Sequence, residues 1–218
     1  MTNGGRLLIV GDFNFHYGDQ RNRHLVQLHD LLYASCARNI GAYMESALNM
    51  RSHINNTIRA SYAQLRAIAK LRKFLTIDAA KKIIHAFVTS HLDNLISLLI
   101  NLPDYQIKKL QYIQNIAARL IAKLKKSDHI TPTLINLHWP PISQRIEYKL
   151  LLLVFKCIIG KAPAYLCSHI QPYSPGRSLR SASQYQLQER SSRRKYGEPA
   201  FSVCAPRLWN QLPFSLRQ

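Results

Sequence analysis

With 47% hydrophobic residues in a chain of 218, there is material for a real core, enough for one domain of ordinary size or two small ones, and disorder throughout is excluded. Thirty Lys and Arg against eleven Asp and Glu give a formal net charge of +19. That balance points to polyanions, nucleic acid before anionic membrane.

Up to Cys36 three arginines are matched by three aspartates, so the whole positive surplus lies downstream and marks a seam. Leu7 to Val10 reads as a short buried strand, Gly11-Asp12-Phe13-Asn14 as the turn that ends it, and Arg23 to Tyr33 as a helix with Leu25, Leu28 and Leu32 on one face. An Asp and an Asn are thereby presented at a strand end, where active-site groups are often carried. The stretch LLIVGDFNFH resembles the Gly-Asp-Phe-Asn motif of the endonuclease/exonuclease/phosphatase superfamily, especially the apurinic-type endonuclease domain of LINE-type (non-LTR) retrotransposons, over about Arg6 to Ala34. The resemblance implies that Asp12 helps activate an attacking water and Asn14 holds the scissile phosphate, with Mg²⁺ as the parent family's metal. The family's upstream Asn and metal-binding Glu, and its closing Ser-Asp-His, cannot be placed here. Asp12 and Asn14 are therefore expected to be vestigial, with no cofactor and no metal held.

Arg38 to Asn56 is expected to form a short apolar segment, a turn and a polar approach to a helix. From Thr57 to Phe74 the pattern is helical: Ile58, Tyr62, Leu65 and Ile68 make an apolar side, and Arg59, Arg66, Lys70 and Lys73 share another face. With few acids nearby, that basic stripe is a candidate for phosphate contact, a merely solvated face being the competing reading. Thr76 is placed to cap a helix from Ile77 to Asn101, with Ala80, Ile83, Ile84, Phe87, Val88, Leu92, Leu95 and Leu99 along one side and Pro103 to end it. His85 and His91 on it are not spaced to share a metal ion. Asp104 should cap the next helix, to about Lys126, with Ile107, Leu110, Ile113, Ala117, Leu120 and Leu124 inward. Arg119, Lys123 and Lys126 recur along another of its faces and are further candidate nucleic-acid contacts.

Ser143 to Lys161 has apolar residues on nearly every side and is expected to be the central core helix, with Leu152 among its buried positions. Pro140 and Pro141 stop what precedes it, Ser143 can cap it, Gly160 suits the left-handed residue after its end, and Pro163 forbids continuation. Its apolar run falls far short of the roughly 20 residues a bilayer requires, so no membrane partner is expected. Pro172 to Gly197, rich in Ser, Arg, Pro and Tyr, should be irregular and exposed. There Arg177, Arg180, Arg190, Arg193, Arg194 and Lys195, interleaved with Tyr173, Tyr185 and Tyr196, could grip and stack on single strands, or form only a solvated linker. Phe201, Val203, Leu208, Trp209 and Leu212 are apolar enough to dock back on the bundle, Trp209 as a packing anchor. Cys36, Cys157, Cys167 and Cys204 form no Cys-x-x-Cys pair, Cys167 and His169 lack further metal partners, and the opening MTNGGRLLIV lacks a signal peptide's apolar core. A reduced, intracellular protein, nuclear or cytoplasmic and not secreted, is expected.

DAAKKIIHAFVTSHLD, LPDYQIKKLQYIQNIAARLI, DHITPTLINLHWPPISQRIEYKLLLLVFK and YGEPAFSVCAPRLWNQLP are similar, in order and spacing, to successive blocks after the reverse transcriptase palm in LINE-type retrotransposon polyproteins. With RNIGAYME they cover about Arg38 to Arg217. The resemblance implies that RNIGAYME is the end of a palm, the helices a thumb and the remainder a C-terminal extension. It also makes Ser127-Asp128-His129 a helix-to-helix connection rather than the nuclease's closing motif. Reverse transcription needs paired aspartates on two metal ions, and no two acidic residues are adjacent anywhere in this chain. Cys36 to Arg38 then looks like an internal deletion joining two distant pieces.

The expected architecture is mainly α: a nuclease-like fragment over residues 1–36, a basic thumb-like helical bundle over 37–171 with short connections favouring antiparallel neighbours, and an Arg/Ser-rich extension over 172–218. The expected function is that of a retrotransposon-derived remnant that binds DNA or RNA without sequence preference and has no complete catalytic site. The alternatives are an endonuclease, phosphodiesterase or RNA-directed DNA polymerase-related protein of a mobile element, and a domesticated helical protein-interaction module.

Overall fold

The structure, a computed structural model, describes residues 36–39, 41–45, 49–174, 185–192 and 197–217. The strand, turn and helix expected over residues 7–33, Asp12 and Asn14 included, lie outside them. The described protein is mainly α-helical. It divides into two compact units, residues 36–145 and residues 146–217.

The first unit opens with strands β1 (Cys36–Asn39) and β2 (Ala42–Glu45), paired antiparallel with Cys36 opposite Glu45 and Asn39 opposite Ala42. Gly41 turns the chain between them at φ 83°, a conformation that costs a residue without Cβ nothing. Helix α1 (Arg51–Leu71) starts earlier than Thr57, because β2 supplies its cap. The Glu45 carboxylate accepts from the Ser52 backbone N–H at 2.8 Å and from the Ser52 hydroxyl, and Asn49 Oδ1 accepts from the Arg51 N–H at 3.0 Å. That Ser52 hydroxyl bond is the main reason the Glu45 carboxyl titrates below its ordinary range. His53, Ile54, Ser61, Leu65 and Ile68 form the buried side of α1, which packs on helix α4 (Asp104–Ala122). A 3-10 turn, Arg72–Phe74, follows α1 directly.

The helix expected from Ile77 to Asn101 runs without a gap only to Asp93, as α2 (Ile77–Ile84), a π-helical turn (His85–Thr89) and α3 (Ser90–Asp93). Thr76 Oγ1 caps α2 as expected, accepting from the Ala79 N–H at 3.2 Å. The wide π turn rotates less per residue than an α turn and shifts the register of the apolar side. Phe87, expected inward, is consequently 51% exposed, while Val88 and Thr89 are buried. Leu95, left-handed at φ 55°, then turns the chain into a 3-10 segment, Ile96–Leu99, and Pro103 lies beyond the helix rather than at its end.

Two further expectations change at α4. Asp104 is its first helical residue and makes no side-chain cap, the extended Pro103 standing at the cap position. The helix stops at Ala122, where Lys123 is left-handed at φ 53° and the Leu124 N–H bonds to the Arg119 carbonyl at 3.1 Å. Lys123 and Lys126 therefore do not continue a helical face begun by Arg119. The short α5 (Thr131–Asn136) has Pro132 in its first turn.

Helix α6 (Ile142–Ile158) begins one residue before Ser143, which is exposed inside it and not its cap. Two glutamines of α4 mark the start instead: Gln111 Oε1 accepts from the Ile142 N–H at 2.9 Å, and Gln114 Nε2 donates to the Pro140 carbonyl at 2.9 Å. The unit boundary falls within this helix. Its buried side runs Ile142, Ile146, Leu150, Val154, Cys157, whereas Leu152 is only half-buried and Phe155 and Ile158 are exposed. Apolar residues all round the helix thus do not mean burial all round. Gly160, at φ 69°, ends it as expected, with the Gly160 N–H on the Cys157 carbonyl at 3.2 Å and the Lys161 N–H on the Lys156 carbonyl at 2.8 Å.

In the second unit, that turn and the short α7 (Ala164–Cys167) return Cys167 to Cys157: the Cys167 Sγ lies 3.8 Å from the Cys157 carbonyl and 3.4 Å from that of Ala162. Cys157, Cys167 and Cys204 are all free thiols, and burial pushes Cys157 and Cys204 each up to about 11. Helix α8 (Phe201–Gln211) buries Phe201, Val203 and Trp209, with Leu208 half-buried. The stretch expected to be irregular and exposed is partly pinned. Asn210 exchanges two 2.9 Å hydrogen bonds with the Leu187 backbone, Trp209 Nε1 donates to the Tyr185 carbonyl at 2.9 Å, and Leu187 is buried. Residues 175–184 and 193–196 lie outside the described residues.

Candidate nucleic-acid interface

Arg59, Arg66 and Lys70 on α1 and Lys73 on the 3-10 turn after it are all exposed. At 100° per residue their spacing confines them to an arc of about 60°, and at 1.5 Å per residue they extend over about 21 Å. Between Glu45 and Asp78 the chain has no acidic residue. The ion pairs among the described residues are Lys81 with Asp78 and Arg145 with Asp93, so none of the four stripe cations is neutralised by a carboxylate there. The stripe is therefore an open row of positive charge on the side of α1 away from its packed face.

What holds the far end of that row is Arg72. It stands between Lys70 and Lys73 in the chain yet points inward and is 6% exposed. Its Nε donates to the Leu120 carbonyl at 2.8 Å, Nη2 to the Ile121 carbonyl at 2.7 Å and Nη1 to the Leu75 carbonyl at 2.8 Å. The guanidinium thus meets carbonyls at the negative end of the α4 dipole and ties the end of α1 to them. The buried charge is met by three acceptors in fixed positions. At the other end, Arg51 Nη2 donates to Tyr105 Oη of α4 at 3.3 Å.

The remaining expected contacts divide. Arg119 is half-buried and donates to the Asp128 carbonyl at 3.2 Å, so it braces the connection after α4. The Asp128 carboxylate accepts from the Lys125 N–H at 2.8 Å within that same turn. Lys123 and Lys126 are exposed there. In the second unit Arg190, Tyr173 and Tyr185 are exposed. Arg177, Arg180, Arg193, Arg194 and Lys195 lie outside the described residues, as do Asp12 and Asn14.

Two concavities of the first unit were not legible in the sequence. A cleft of about 440 Å³ collects Lys81, Lys82 and His85 with Asn136, His138 and Trp139. A larger groove of about 870 Å³, lined by Ile107, Gln111, Ile130, Leu134, Ile135 and Trp139 among others, is mostly apolar. Neither brings together carboxylates suited to acid-base work, and no group of three or more His, Cys, Asp or Glu that could hold a metal ion occurs among the described residues. Glu45, Asp93 and Asp128 are instead committed to a helix cap, an ion pair and a turn. No helix of the described residues is long and apolar enough to cross a membrane. Comparison with protein-family models, with curated proteins and with solved structures gives no match.

Proposed function

We propose that this chain is a sequence-tolerant nucleic-acid-binding protein without a complete catalytic site, derived from the thumb and C-terminal region of a LINE-type reverse transcriptase with a vestigial nuclease fragment ahead of it. DNA or RNA inside the cell, nuclear or cytoplasmic, is the partner this reading assigns. The observation that carries it is the row Arg59, Arg66, Lys70, Lys73: exposed, unopposed by carboxylates and set on a helix whose other side is packed. Cations so placed bind phosphates by releasing counterions, which gives affinity without base readout. Among the described carboxylates, Glu45, Asp93 and Asp128 are engaged in a helix cap, an ion pair and a turn, roles that fit a structural scaffold for such a binding face.

The test is the salt dependence of binding to oligonucleotides of unrelated sequence. Replacing Arg59, Arg66, Lys70 and Lys73 together by Gln should reduce the steepness of log K against log salt by about 2.8 to 3.6, at roughly 0.7 to 0.9 per phosphate contact. An unchanged slope would make the stripe a solvated face. The apolar groove beside α4 favours a second reading, a helical protein-interaction module. Binding to a protein partner there would survive all four substitutions.

A further inference from the structure

Phe74 closes the 3-10 turn immediately after Lys73 and, at 75% exposed, is the most open large hydrophobic side chain among the described residues. Lys73 Nζ sits 4.8 Å from the centre of its ring. The turn that presents it is tied down by the three carbonyl contacts of Arg72, so the ring is displayed on a braced support. An aromatic face in water at the end of a phosphate-binding row is suited to a flat apolar ligand that arrives with negative charge.

We infer that Phe74 is a stacking platform for an unpaired base, and that the basic face takes single strands or unpaired ends in preference to continuous duplex. The inference rests on the nucleic-acid reading of the stripe and adds which form of nucleic acid it takes. Inside a duplex the π-faces of the bases are turned to one another, so away from its two ends the stack offers no free face to the ring. A single strand offers both a phosphate path for Lys70 and Lys73 and a free base for the ring. A second copy of this chain is the poorer occupant. Leu71 and Ile77 beside it in the chain are also exposed, but so are Arg66, Lys70 and Lys73 just before it, with Lys73 against the ring itself, and two such faces would meet as like charges.

The experiment measures affinities of the full chain for a labelled single strand and for a blunt duplex of the same length, across salt, with Phe74→Ala and Phe74→Trp alongside. Phe74→Ala should weaken single-strand binding by about 5- to 100-fold, leave duplex binding nearly unchanged and leave the salt slope as in the wild type, because a stacking contact and no cation has been removed. Phe74→Trp should retain the preference. If the wild type binds neither form, the reading of the stripe fails and this inference with it. If it binds with a stripe-dependent slope but Phe74→Ala leaves the single-strand to duplex ratio unchanged, the stripe stands and the stacking platform is overturned. Equal losses on both forms also overturn it, as does loss of self-association in Phe74→Ala without any change in single-strand affinity.

Discussion

His53 lies on the packed side of α1, 4% exposed, and burial lowers its pKa below the ordinary 6.5, a hydrogen bond with the Asn94 backbone acting in the opposite sense. The folded protein therefore holds this histidine neutral, while the unfolded chain takes up the proton more readily. Its contribution to stability is complete above about pH 6.5 and is lost as the pH falls from there through the lowered folded value. Thermal melts between pH 7.5 and pH 5 should show the wild type losing stability on the acid side. His53→Gln, which keeps a donor for the Asn94 backbone, should lose less over the same range. Parallel curves for the two proteins would show that His53 is not what titrates. Arg72 shows how far single residues could be read in the sequence. Helical phase alone leaves it off the stripe formed by its neighbours Lys70 and Lys73. What it does instead was hidden, because the carbonyls it grips at Leu120 and Ile121 are 48 and 49 residues away.

Helix ends were legible where the capping partner is local and hidden where it is not. Thr76 reaches the N–H three residues on, and Gly160 needs only its own freedom at positive φ, so both were readable. Ser143 looked like an equally good cap, yet Gln111 and Gln114, 31 and 26 residues away from the groups they meet, define the start of α6. Periodicity likewise found Leu65 and Ile68 of α1 and Leu110, Ile113 and Ala117 of α4 as buried positions, but missed the buried polar residues beside them and the π turn, since a local change of helical pitch leaves no mark in residue type alone. For α6 the dense aliphatic run concealed which residues face inward, and Leu152 is not among the most buried. Val154, at 0% exposed, is the sharper probe. Val154→Asp should cost more than about 3 kcal/mol in denaturant unfolding, because an unpaired carboxylate is forced into the core. Leu152→Asp should cost clearly less, since its side chain can turn toward water. Equal losses would mean that the buried side of α6 is misplaced.

For the molecule as a whole, the surplus charge of +19 and its position after Cys36 were plain from the sequence, as was the helical class. The stripe was readable too, because four cations 7, 4 and 3 residues apart share a face on any helix. The cleft formed by Lys81, Lys82, His85 and His138 was not, because it joins side chains from segments about 50 residues apart that only tertiary packing brings together. Phe74 was equally hidden: an aromatic residue at a helix end is ordinarily core, and only the fold shows it in water. These features lie on or near one stretch, from α1 to α2, so the proposed nucleic-acid face is there and not mainly on the Arg-rich stretch within residues 172–218. The most direct measurement is photo-crosslinking of the full chain to a single strand carrying 4-thiouridine, with the adducts mapped by mass spectrometry. If the proposed face binds the strand, adducts concentrate within residues 51–82 and are suppressed by high salt and by unlabelled competitor of unrelated sequence. Adducts confined to residues 172–218, with none on α1 or the turn that follows it, would contradict it.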